Sequence, residues 1–362
     1  MTAVLITAGG TGGHVFPALA VARRLRELGI TVTWLGTRAG IEARLVPAAG
    51  FEIDYISIRG LRGGGAVRWL LLPMQLNVAF WQALRVLRRR RPQAVLAMGG
   101  YASGPGSLMA SLLGVPLLVH EQNAVAGFTN RWLAHLADVV MCGFPSSFAD
   151  RHGVCVVGNP VRSEILALPV PEQRLNNRHG RIRMLVVGGS QGAQVFNEII
   201  PAAVQTLPPD QRPEVWHQTG TKDEASVVDA YRAFLPEARV NAFINDMAEA
   251  YAWADVVVCR AGAMTVAELA AAGVAAVLVP FPHAVDDHQT ANARFLSERD
   301  AAVLMPQIDF TVAAVATLLA NFAANREVLR RMSLQARACA VTDATEMVAQ
   351  QCQDAAGGVA HA

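Results

Sequence analysis

Along the first 160 residues, short runs of β-branched and aliphatic residues alternate with segments whose apolar positions recur every three to four residues. The runs are Val4-Leu5-Ile6-Thr7, Thr31-Val32-Thr33-Trp34, Ala94-Val95-Leu96-Ala97-Met98, Pro116-Leu117-Leu118-Val119, Asp138-Val139-Val140-Met141 and Val154-Cys155-Val156-Val157. Unbroken apolar strands separated by helices predict a parallel sheet covered on both faces. The first helix is punctuated by Pro17 near its start, by Ala18, Val21, Leu25 and Leu28 along one face, and by Gly29 as its stop.

From Gly158 to Arg183 the chain turns polar and proline-rich, with Pro160, Pro169, Pro171 and then Asn176-Asn177-Arg178-His179-Gly180, the composition of a linker. The strand pattern then restarts at Met184-Leu185-Val186-Val187 and continues at Val215-Trp216-His217, at 239–243, at Val256-Val257-Val258 and at 275–279. The second half thus repeats the architecture of the first. The expected fold is α/β, two doubly wound Rossmann-like domains facing a cleft, with ligands at the carboxyl ends of the strands. The expected boundaries are 1–160, 161–340, and a closing helix and tail at 341–362 that is a candidate to pack back on the first domain.

Composition adds a membrane to this picture. Hydrophobic residues make up 52% and charged residues 17%, with a mean hydropathy of +0.29, which excludes disorder and is oily for a soluble protein. Trp69–Leu84 and Pro92–Val119 are uncharged, but Pro73, Gln75, Asn77 and Gln82 interrupt the one and glycine pairs the other, so neither is expected to span a bilayer. From Tyr55 to His120 there is no Asp or Glu, while Arg59, Arg62, Arg68, Arg85, Arg88, Arg89, Arg90 and Arg91 add positive charge. Trp69, Leu72, Phe80 and Trp81 sit among them, giving an apolar surface framed by cations that suits anionic lipid. Gly63-Gly64-Gly65 suggests a flexible loop able to admit a lipid-linked substrate. No nucleic-acid reading motif accompanies the basic run, so no nucleic-acid partner is expected. The N-terminus lacks a basic leader and does not read as a signal peptide, and the five scattered cysteines read as reduced, which together predict an intracellular protein.

Three glycine loops stand between a strand and a helix: Gly9-Gly10-Thr11-Gly12-Gly13-His14, Gly99-Gly100-Tyr101-Ala102-Ser103-Gly104 and Gly188-Gly189-Ser190-Gln191-Gly192-Ala193. Glycine there lets phosphate oxygens approach backbone N–H groups at a helix start. Their matching positions in two domains predict two anionic ligands. None ends in the Lys-Ser/Thr of a nucleotide-triphosphate loop, and Asp286-Asp287 is not an Asp-x-Asp metal clamp. No metal and no cofactor are therefore expected, and helix dipoles with cationic side chains must stabilise a departing diphosphate.

The five motifs Gly9-Gly10-Thr11-Gly12-Gly13-His14, His120-Glu121-Gln122-Asn123, Gly158-Asn159-Pro160-Val161-Arg162, Gly188-Gly189-Ser190-Gln191-Gly192-Ala193 and the run from Arg260 to Glu268 together resemble the MurG family. Its members attach N-acetylglucosamine (GlcNAc) from uridine diphosphate (UDP) to undecaprenyl-diphospho-muramoylpentapeptide. The resemblance runs through Asp286-Asp287-His288-Gln289 and implies a GT-B fold, inverting transfer with a β-1,4 linkage, and a place on the cytoplasmic face of the bacterial inner membrane. It implies as partners the UDP-GlcNAc donor, the lipid-linked acceptor, an anionic membrane surface and other cell-wall synthesis and division proteins. Carried over by position, Thr11, Gly12, Gly13, Asn123, Arg162, Ser190, Ile244, Ala263, Met264, Thr265, Val266, Ala267, Glu268 and Gln289 would line the donor site. Glu268 would accept the ribose hydroxyls, the backbone of Ile244 would read the uracil, and Arg162 would neutralise the diphosphate. Gly100, Tyr101 and Ser103 are the candidates for the acceptor diphosphate. Thr290 stands where family members often have a second glutamine. For the base that deprotonates the acceptor hydroxyl, His14 ranks first because imidazole titrates near neutrality. Glu121 is the rival, with His120 orienting the acceptor. Alternatives of the same fold are a diacylglycerol glycosyltransferase and a sugar-nucleotide epimerase; an alternative of another class is a silent scaffold at the membrane.

Overall fold

The computed structural model describes residues 2–58, 66–149, 151–176, 178–189 and 191–358, and the side chains of 66–72 and 285 lie outside that description. The chain divides into two compact units, Met1–Arg162 with Val341–Ala362, and Ser163–Ala340.

In the first unit the elements run β1 Ala3–Ala8, α1 Gly12–Glu27, β2 Thr31–Gly36, α2 Glu42–Ala48, β3 Glu52–Tyr55, α3 Ala66–Arg90, β4 Ala94–Gly99, α4 Ser103–Leu112, β5 Leu117–Glu121, α5 Phe128–Ala134, β6 Val139–Cys142 and β7 Val154–Val156. They form a parallel seven-stranded sheet in the order β3-β2-β1-β4-β5-β6-β7. The aliphatic strands are buried on both faces, as their unbroken apolar runs require. The edge strand β3 is absent from the apolar pattern because Glu52-Ile53-Asp54-Tyr55 offers a single aliphatic residue. Helix α1 begins five residues earlier than its proline suggests. Pro17 lies inside it, and the glycines of the first loop form its first turn. After the second unit the chain returns as α15 Ala344–Gly357, whose Val348, Ala349 and Cys352 are fully buried in the core of β1, β4 and α1. Arg24 of α1 bonds Glu346 at its start.

The second unit comprises α6 Ser163–Leu166, α7 Pro171–Leu175, β8 Arg183–Val187, α8 Gln194–Thr206, β9 Glu214–Gln218, α9 Glu224–Arg232, β10 Arg239–Asn241, α10 Met247–Trp253, β11 Val256–Cys259, α11 Ala263–Ala272, β12 Ala275–Leu278, α12 His288–Ser297, β13 Ala302–Leu304, α13 Val312–Ala324 and α14 Arg326–Ala338. Its parallel six-stranded sheet has the order β10-β9-β8-β11-β12-β13. The polar stretch expected to be a linker is folded from Ser163 onward. Arg174 donates to the carbonyls of Tyr251 and Ala254 at the end of α10 and of Ala272 and Gly273 at the end of α11. Arg178 donates to those of Ala252 and Trp253. Two guanidinium groups thus satisfy helix carboxyl ends, where the dipole favours cations.

In each sheet the strand order reverses at one place, between β1 and β4 in the first unit and between β8 and β11 in the second. Ligands of doubly wound sheets bind outside the strand ends at such switch points.

Candidate active site

At the first switch point the loops after β1 and β4 pack backbone to backbone. Gly100 has φ +84°, and a side chain there would collide with the Gly9 carbonyl; a side chain on Gly10 would lie 3.3 Å from the Tyr101 ring. The first loop is held from below by Glu42, a fully buried carboxylate that the motifs gave no reason to notice. One oxygen accepts from the Gly10 N–H (3.0 Å), the other from the Thr37 N–H (2.9 Å) and hydroxyl (2.8 Å). With Gly10 so engaged, the N–H groups open to a ligand are those of Gly12 and Gly13, which find no acceptor among the described residues. Thr11 is exposed at the helix cap. Ser103 must be withdrawn as a diphosphate ligand. It is fully buried, and its hydroxyl points at the Thr7 and Gly99 carbonyls (2.8 and 2.7 Å).

His14 projects from the first turn of α1, partly exposed, and Gly99 makes room for its ring: with φ +98°, Gly99 carries no side chain where a Cβ would sit 2.9 Å from His14 Nδ1. Nδ1 lies 2.7 Å from Gln122 Oε1. Gln122 is buried after β5, and its Nε2 donates to the His120 carbonyl (3.0 Å) and reaches His120 Nδ1 (3.1 Å). His120 Nε2 in turn lies 2.9 Å from the Gly158 carbonyl. His120 is fully buried, which pushes its imidazole down to about 4 and puts it beyond the reach of an acceptor, so it is withdrawn as the residue that orients the acceptor. Glu121 is 1% exposed and its carboxylate accepts four bonds, from the N–H and side chain of Asn123 (2.9 and 3.0 Å), from the Gly127 N–H (3.1 Å) and from Asn130 (2.9 Å). That geometry organises the loop that carries Asn123 and leaves no oxygen facing a substrate proton. Asn159 donates to the Gln122 carbonyl (2.9 Å), and the Arg162 guanidinium stands 5.9 Å from the Phe16 ring.

In the second unit, α11 starts at the Gly262 cap, and the N–H groups of Ala263, Met264 and Thr265 find no acceptor among the described residues. Asn292, buried in α12, fixes the preceding turn by donating to the Ala261 carbonyl (3.1 Å). Val266 is withdrawn as a donor contact, since its side chain is in the core and its N–H bonds the Gly262 carbonyl (3.0 Å). Glu268 lies in the second turn, 9% exposed, and accepts from the Tyr251 hydroxyl (3.2 Å). The Ile244 side chain is buried; Gln289 Oε1 accepts the Phe281 N–H (2.9 Å), and Thr290 bonds Asp287 (2.7 Å). Arg260 is sandwiched between Phe196 and Phe281 and donates to the Val279 and Pro280 carbonyls and to Gln307, so it shapes the turn. Gly192 is required where the third loop meets the Thr219 carbonyl, with φ +76°. Ser190 lies outside the described residues.

On α3, Met74, Val78 and Trp81 are exposed, with Arg85 over the Trp81 ring at 5.9 Å and Phe80 half-buried. Arg85 and Arg88 are exposed. Arg89 and Arg90 are engaged with Asp54 and Glu52 of β3, which lie just before the acid-free stretch, so their charge is partly cancelled. Trp69, Leu72 and Arg68 have side chains outside the description, as do Arg59, Arg62 and the three glycines at 63–65. The structure adds Phe128 and Trp132 of α5, both about two-thirds exposed, which the sequence reading passed over. Among the described residues no single helix is long and apolar enough to cross a membrane.

Residues 4–142 match the glycosyltransferase family 28 N-terminal domain, and residues 183–348 its C-terminal domain. The chain is 52% identical to a Dechloromonas aromatica protein, over 98% of this chain and 99% of that one, and 51% identical to a Nitrosomonas europaea protein with the same coverage. Both are named UDP-N-acetylglucosamine--N-acetylmuramyl-(pentapeptide) pyrophosphoryl-undecaprenol N-acetylglucosamine transferase. The crystal structure of Acinetobacter baumannii MurG superimposes with a TM-score of 0.84 at 40% identity, covering 98% of this chain and all of that one.

Proposed function

This chain belongs to glycosyltransferase family 28, and from that membership we propose that it moves GlcNAc from UDP-GlcNAc to the C4 hydroxyl of the muramoyl sugar in undecaprenyl-diphospho-muramoylpentapeptide, a step of peptidoglycan synthesis. Near-full-length similarity to relatives named for this transfer carries the reading.

The reaction is a single displacement with inversion. The acceptor oxygen bonds to the anomeric carbon as the bond from that carbon to UDP breaks; the electron pair leaves with UDP and the hydroxyl proton goes to a base. His14 is that base. Its Nε2 takes no hydrogen bond among the described residues, while Glu121 has its oxygens occupied. In the second unit the first-turn N–H groups of α11 carry about half a positive charge and receive the departing diphosphate. Glu268 accepts the ribose hydroxyls, the backbone at Ile244 meets the uracil, and Gln289 meets the sugar; Ala263, Met264, Thr265 and Ala267 line the same helix start. On the first unit, Thr11, Gly12, Gly13, Asn123 and Arg162 are the candidates for donor contact, and Gly100 with Tyr101 holds the acceptor diphosphate. The exposed face of α3, with Trp81, Arg85 and Arg88, docks on anionic lipid at the cytoplasmic side of the inner membrane, which co-sedimentation with anionic vesicles tests.

The deciding experiment follows radiolabelled GlcNAc from UDP-GlcNAc to a short-chain lipid-linked muramoylpentapeptide with chelator present. Wild type transfers label; His14→Ala loses roughly 10²–10⁴ in kcat, the worth of a positioned base; Glu268→Ala raises the donor KM. Absence of transfer in wild type that still binds UDP-GlcNAc would overturn the assignment.

A further inference from the structure

The chain of contacts that ends on His14 begins on two backbone carbonyls, and carbonyls accept hydrogen bonds but never donate them. That fixes every proton along it. Gly158 O lies 2.9 Å from His120 Nε2, so Nε2 carries the hydrogen. The buried His120 ring is neutral, its Nδ1 is therefore a bare acceptor, and it receives one hydrogen of the Gln122 amide. The other amide hydrogen goes to the His120 carbonyl, which settles which end of the amide is nitrogen. Gln122 Oε1 then faces His14 Nδ1 at 2.7 Å and can only accept, so Nδ1 is the protonated nitrogen of His14.

We propose that Gln122 and His120 form a neutral relay from the Gly158 carbonyl that holds His14 in its Nδ1–H tautomer and so presents the Nε2 lone pair to the acceptor hydroxyl; the catalytic part of this rests on His14 being the base. Gln122 and His120 are positioning residues, since both are buried and neither touches substrate. The relay uses an amide where a carboxylate would also accept from Nδ1. An amide brings no charge into the buried layer beneath the site, and because His120 holds its nitrogen end at both the carbonyl and Nδ1, only its oxygen can face the His14 ring. Gly99 completes the device: its missing side chain leaves the ring space to lie against β4 while Nδ1 keeps its bond. Asn159, bonded to the Gln122 carbonyl, and Gly158, which takes φ +77°, anchor the far end.

The test is the tautomer itself, read by two-bond nitrogen–proton correlation spectra of the full-length protein labelled with ¹⁵N-histidine, above the ordinary imidazole pKa of about 6.5. The His14 signals are identified by their loss in His14→Ala. Wild type is expected to show His14 protonated at Nδ1 and bare at Nε2. Gln122→Met keeps side-chain length but can neither accept nor donate; it gives a tautomer-averaged His14 and a kcat lowered about tenfold or more, part of the 10²–10⁴ worth of the base, with the UDP-GlcNAc KM within about twofold. His120→Phe leaves the backbone carbonyl holding one amide hydrogen and gives a smaller loss in the same direction. A wild-type His14 protonated at Nε2, or a Gln122→Met enzyme with unchanged kcat, overturns the relay. His14→Ala transferring at the wild-type rate would instead remove the base assignment, while the wild-type spectrum would still report whether the relay sets the tautomer.

Discussion

His217 is buried in the second unit with its Nδ1 3.2 Å from the Tyr231 hydroxyl, and burial pushes its imidazole down to about 3. In the unfolded chain the same ring takes up a proton near its ordinary value of 6.5. Between those two pH values the unfolded state binds more protons than the folded one, so stability falls as pH falls, by up to about 1.4 kcal/mol per pH unit. His120, pushed down to about 4, acts in the same direction in the first unit. His217→Gln is expected to flatten the decline of the urea midpoint of the second unit between about pH 6.5 and pH 4, measured against wild type in parallel titrations. A variant as steep as wild type would show that other groups drive acid unfolding. The glycine loops and His14 were legible in the sequence because their chemistry is local. Glu42 and the direction of the Gln122 amide were not, because each acts across strands far apart in the chain: Glu42 on Gly10, and Gln122 on His14.

Helix α3 shows how an element carries two roles on two faces. Ala79, Ala83, Val86 and Leu87 are buried against the sheet, while Met74, Val78 and Trp81 point outward. An amphipathic helix with an apolar outer face is out of place in water and suited to the lipid interface. Trp81→Glu puts a charge at the centre of that face and is expected to lower the fraction bound to anionic vesicles, with transfer to a detergent-dispersed acceptor preserved. Unchanged vesicle binding would move the docking surface elsewhere, for example to Phe128 and Trp132 of α5. The strands with unbroken aliphatic runs were all readable, whereas β3 and β13 were not: one alternates charged and apolar residues, and the other has three residues. The charge count over 55–120 misled in one respect, because Asp54 and Glu52, lying just outside that window, neutralise part of the arginine run.

At the scale of the molecule, the first unit is assembled from both ends of the chain and the second is continuous. Removing residues 341–362 takes Val348, Ala349 and Cys352 out of the first unit's core and strips Arg24 of its partner Glu346. The expected cost to that unit is roughly 3–6 kcal/mol, from the apolar side chains alone. The second unit, which keeps every strand and helix through α14, is expected to bind UDP still, which calorimetry of the truncated chain checks. Loss of UDP binding together with the first unit's stability would show that the two are not separable in this way.

The return of α15 also sets an order of events during synthesis. Domains generally fold in the order they leave the ribosome, the N-terminal one first. Here the N-terminal sheet emerges first but cannot close its core, because the helix that covers α1 and β4 is translated after the whole of the second unit. The continuous second unit has all its residues available sooner, so the part of the protein made first is the part completed last. Until α15 has been made, the nascent chain carries an uncovered apolar face on its N-terminal sheet, and the emergence of that helix is what seals it.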